Sequence, residues 1–111
     1  MTFEDRENAF EAYFARQQEL DFRSTSRRDR LLAAWAVQTL GLGAAAGEDY
    51  AASLTRARVR QPDGEAVYVK VLHDLAEAHV EIAPRELRRK MDEFAVQARR
   101  DVFEGVQSAA A

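Results

Sequence analysis

The chain has 111 residues, 47% of them apolar and 32% charged, with five Gly, two Pro and no Cys. That is room for one domain, whose stability must come from packing because neither disulfides nor thiolate metal sites are available. A formal charge of -3 has the wrong sign for a protein that gains affinity by displacing counterions from phosphates, and the acidic opening MTFEDRENAF lacks the basic and apolar regions of a signal peptide. No stretch approaches the ~20 consecutive apolar residues that span a bilayer.

From Glu4 to Leu40 there is neither Gly nor Pro, which predicts one long helix or two in succession. Phe3, Phe10 and Phe14 are spaced by seven and four residues and fall on one stripe of a helix. Extending the stripe reaches Gln17 and Asp21, so the register is lost, and Ser24-Thr25-Ser26 followed by Arg27-Arg28-Asp29-Arg30 predicts a weak point or bend. Leu31, Leu32, Trp35, Ala36, Thr39 and Leu40 then form a new face, closed by Gly41-Leu42-Gly43. Trp35, the largest of these side chains, is the expected centrepiece of the core.

A second helix is expected over 46–58, with Tyr50, Leu54 and Ala57 facing inward. After Gln61-Pro62-Asp63-Gly64, with Asp63 as the expected N-cap, a third carries Val67, Tyr68, Val71, Leu72 and Leu75. A fourth starts at Pro84, with Ile82 and Leu87 spaced as a hydrophobic staple, and runs through Leu87, Met91, Phe94, Ala98, Val102 and Val106. Gly105 and the terminal Ser-Ala-Ala-Ala predict fraying there. The fold expected is all-α: a four-helix bundle over 25–111, preceded by an arm over 1–24 that is helical or partly disordered and continuous with the first helix.

The residues offer little chemistry. His73 and His79 do not have metal-ligand spacing, no phosphate-loop, nucleophile-elbow or zinc-protease motif occurs, and Glu4, Asp5, Glu7 and Glu11 sit where carboxylates complement a helix dipole. No enzyme, metal or cofactor is expected. The clusters Arg23/Arg27/Arg28/Arg30 and Arg85/Arg88/Arg89/Lys90 leave open a weak nucleic-acid reading, which the interleaved acids oppose, and read more simply as a solvated face or as partners of nearby acids, as Lys90 with Glu86. The aromatic arm leaves two alternatives: it packs back onto the bundle, or it waits for a partner to cover its rings.

With arm, joint and bundle in place, the chain resembles the alphaproteobacterial zeta family, the ATPase inhibitor subunit of the F1Fo-ATP synthase. The resemblance rests on the opening FEDRENAFEAYFARQQELDFR, the joint SRRDRLLAAWAVQTLGL, the tyrosine of EDYAASL, the helix PDGEAVYVKVLHDLAEAHV and the closing IAPRELRRKMDEF. Arg23 stands where the family usually has lysine, Ser24-Thr25-Ser26 is more polar than usual, and Asp63-Gly64 reverses the expected order. The resemblance implies a regulatory protein whose opening segment enters the catalytic head between alpha and beta subunits, near the gamma shaft, and blocks hydrolysis. It carries over Phe3, Phe10 and Phe14 as apolar anchors and Glu4, Arg6, Glu7, Glu11 and Arg16 as polar contacts. It also implies a cytoplasmic protein peripheral to the synthase. The alternative it leaves is a non-inhibitory bundle that binds another protein or, weakly, a nucleotide.

Overall fold

In the computed structural model, which describes residues 2–110, the chain is four helices: α1 (Phe3–Leu40), α2 (Ala44–Arg60), α3 (Glu65–Glu77) and α4 (Pro84–Ala110). The C-terminal half of α1 touches the other three, and α4 is its most extensive neighbour. The buried core is Leu32, Ala33 and Ala36 from α1, Leu54 and Ala57 from α2, Val67, Tyr68, Val71 and Leu75 from α3, and Leu87, Met91 and Ala98 from α4. These are the three-to-four spacings of the sequence reading, each helix placing one stripe against the others.

Two expectations are corrected along α1. The helix runs unbroken through Ser24-Thr25-Ser26; tertiary packing, described below, outweighs their low propensity. Trp35 is only half-buried, at the edge of the core, with the Lys90 ammonium 5.9 Å from its ring; the fully enclosed large side chains are leucines and valines. The centre of a four-helix layer this small has little room for an indole. At the helix start, Thr2 and Asp5 form a reciprocal capping box, Asp5 N–H donating to Thr2 Oγ1 at 3.1 Å and Thr2 N–H to Asp5 Oδ2 at 3.2 Å. These contacts hold the Asp5 carboxyl below the usual value of 3.8.

The ends of the shorter helices also differ. α2 is a turn longer than expected, and Gly64, not Asp63, is the N-cap of α3. Asp63 instead accepts from Glu65 N–H at 2.9 Å, two residues on. Gly64 is required there: its φ is +87°, and a Cβ would lie 2.5 Å from Arg58 Nη1, which donates to the Pro62 carbonyl at 3.2 Å. α3 ends in a Schellman motif, Val80 N–H to the Leu75 carbonyl and His79 N–H to that of Ala76, with His79 at φ +60° where glycine is usual. α4 continues through Gly105 to Ala110 where fraying was expected; Met1 and Ala111 lie outside the described residues.

One ion pair locks the bundle. Arg58 donates from Nε and Nη2 to the two oxygens of Asp29, at 2.9 and 2.7 Å, and the two side chains retain only 13% and 9% of their exposure. Paired forks of this kind compensate desolvation that either charge alone would suffer. Beside it, Arg28 is half-buried with Nε unpartnered; burial, then repulsion from Arg58, pulls its guanidinium below the ordinary arginine range while Asp29 and Asp92 oppose the change. Near α3, burial and then the Asp74 carboxylate push the Tyr50 phenol upward.

Candidate functional site

The residues carried over from the opening segment all lie on the N-terminal half of α1, and all are exposed: Phe3, Glu4, Arg6, Glu7, Phe10, Glu11, Phe14 and Arg16. Every described residue before Leu20 is exposed, so the arm is a helix that does not fold back onto the bundle. Its projection gives the molecule a long dimension of 62 Å against 29 and 25 Å.

The three rings occur on one face, as their spacing predicts. Phe3, Phe10 and Phe14 keep 78%, 68% and 55% of their exposure, and Phe10 and Phe14 stack with centroids 6.3 Å apart. Tyr13, three residues after Phe10 and 64% exposed, widens the stripe and was missed. Its i+3 spacing is the signal that would have found it.

The polar candidates divide. At 3.6 residues per turn Glu4, Glu7 and Glu11 run along one edge of the aromatic stripe, and Arg6 falls within it. Arg16 flanks the opposite edge, about 60° beyond Tyr13, where its Nη1 pairs with Glu19 at 3.3 Å; Glu19 also holds Arg23 at 2.6 Å. The helix therefore presents aromatic rings with Arg6 among them, an acidic margin on one side and the Arg16–Glu19 pair on the other.

Several members of the basic clusters are used internally, while Arg30, Arg85 and Arg89 are exposed. Arg88 lies 3.5 Å from the Tyr68 ring centroid and donates to both Glu65 oxygens at 3.1 Å. Lys90 sits over Trp35 and Phe94 and makes no pair with Glu86 among the described residues. Arg27 pairs with Asp101 at 2.9 Å. Among the described residues there is no group of three His, Asp or Glu side chains able to hold a metal, and no helix long and apolar enough to cross a membrane.

The family model for ATPase inhibitor subunit zeta matches residues 1–101, nine-tenths of the chain and all of the arm. The chain belongs to this family. The zeta assignment makes it a regulatory, inhibitor-type subunit. No curated protein and no solved structure matches the chain.

Proposed function

We propose that this zeta-family chain inhibits ATP hydrolysis by the F1-ATPase, inserting the N-terminal half of α1 at an alpha/beta interface near the gamma shaft. The supporting observation is the preformed helix with Phe3, Phe10, Tyr13 and Phe14 uncovered on one face. Rings so exposed gain little from the chain's own fold, while enclosing each in a partner contributes up to ~1.5–3 kcal/mol.

A helix already formed also changes the energetics of insertion. Ordering a coil costs ~1–2 kcal/mol per backbone residue, more over twenty residues than three or four rings return. With the capping box and stacked rings in place, that ordering precedes the encounter, and the burial of the rings is available for affinity. Arg6 and the glutamate margin would fix the rotational setting of the helix in the cleft, and the bundle would rest against the outside of the enzyme.

The experiment is the hydrolysis assay with matching F1-ATPase. The full chain suppresses turnover, and a chain lacking residues 2–20 does not. Equal inhibition by the truncated bundle would move the inhibitory surface to the bundle and refute the insertion reading.

A further inference from the structure

The fully buried core ends at Asp29 on α1 and Ala98 on α4, yet both helices run on beyond it, side by side. There α1 passes through Ser24-Thr25-Ser26, where local propensity favours a break, and these three residues are half-buried. Something covers them. Arg27 Nε donates to Asp101 Oδ2 at 2.9 Å, and Gln97 Nε2 donates to Asp101 Oδ1 at 2.7 Å, aiming that carboxylate at α1. Val102 lines a small hollow with Phe22 and Ser26.

The Arg27–Asp101 pair sets an antiparallel register in which Val106 lies within about a turn of Leu20 to Arg23. Leu20 is the sole part-buried residue among the described residues before Ser24, and Val106 is half-buried between exposed Gly105 and Gln107. The tail of α4 therefore has no place in the main core, and its inward side chains face the joint. The family match stops at Asp101, so Val102 and Val106 lie beyond the matched residues.

We propose that the last turns of α4, through Asp101, Val102 and Val106, are a splint that holds α1 helical across its polar joint and so fixes the bearing of the arm. These three are positioning residues, and the consequence for inhibition rests on the function proposed above. Without the splint the arm would keep its capping box and its rings, but the joint would open often and the rings would lose a fixed direction relative to the bundle.

Amide hydrogen exchange on the full chain carrying Asp101→Asn, Val102→Ser and Val106→Ser tests this. Exchange over 18–26 accelerates by about tenfold while that of 67–75 in α3 stays unchanged, and inhibition of hydrolysis weakens in parallel. Adding Ser24→Ala, Thr25→Ala and Ser26→Ala, which restores local helix propensity, slows joint exchange again and recovers inhibition. Unchanged exchange at the joint overturns the splint, as does equal acceleration in α3, which would make the tail ordinary core. Faster joint exchange with undiminished inhibition overturns its role in directing the arm. If the unaltered chain fails to inhibit, the proposed function falls, while the exchange comparison still decides the splint.

Discussion

Replacing Phe10 and Phe14 together by alanine separates a surface for a partner from a surface for the fold. The rings are 68% and 55% exposed, so a partner that encloses them removes roughly three-fifths of each from water. Taking ~1.5–3 kcal/mol for a fully buried ring, the loss is ~1–2 kcal/mol apiece and ~2–4 kcal/mol for the pair. At 1.4 kcal/mol per decade that raises the concentration needed for half-inhibition by about 30-fold to several hundred-fold. The fold loses almost nothing: the two rings touch each other and no core side chain, their i,i+4 contact contributes only ~0.2–0.5 kcal/mol, and alanine is the better helix former. The thermal midpoint should move by less than ~2 °C. Inhibition titrations and melting curves on the same preparations give both numbers. A drop in melting temperature with unchanged inhibition would refute the reasoning, because it would place the rings in the protein's own structure.

Asp29→Ala leaves Arg58 charged, enclosed and without its counter-ion, at a cost of about 3 kcal/mol; in a domain of this size the melting temperature falls by more than ~10 °C, with the arm sequence untouched. His79→Gly relieves a left-handed residue and raises stability by about 1 kcal/mol in urea titration, while Gly41→Ala, at φ +70°, lowers it by a similar amount. Lowering the pH from 7 to 5 leaves arm helicity unchanged. Asp5 and Asp101 are both held below the ordinary 3.8, Asp5 by Thr2 and Asp101 by Arg27 and then Gln97, so their contributions are complete above that value and vanish as pH falls through the lower folded values. NMR titration of the two carboxyls checks the order of events, and titration near pH 5 would contradict it.

Much of the fold was legible because its helices obey a single rule. Leu87, Met91, Phe94 and Ala98 recur on one face whatever α4 packs against, and Val67, Val71 and Leu75 do the same in α3. What was not legible depends on partners distant in sequence. Nothing near Asp29 announces Arg58, twenty-nine residues away, and nothing near Ser24 announces the tail of α4 that keeps it helical. Trp35 has the largest side chain of its stripe, but volume does not set depth, and the narrow centre of the bundle goes to leucine and valine. The aromatic face of the arm was readable from Phe3, Phe10 and Phe14, but counting phenylalanines alone passed over Tyr13.

A joint that is helix and not hinge gives the arm a phase. Each residue added between Leu20 and Arg27 would advance the rings by ~1.5 Å and swing them by ~100° about the axis, as a thread advances a screw. One extra residue would turn the aromatic face well away from a cleft that the bundle still addresses correctly. Seven would bring it back to within ~20° of its first setting, about 10 Å or two helical turns farther out. Length variation here is thus quantised by the helical repeat, and changes that keep the residue count preserve the aim of the arm.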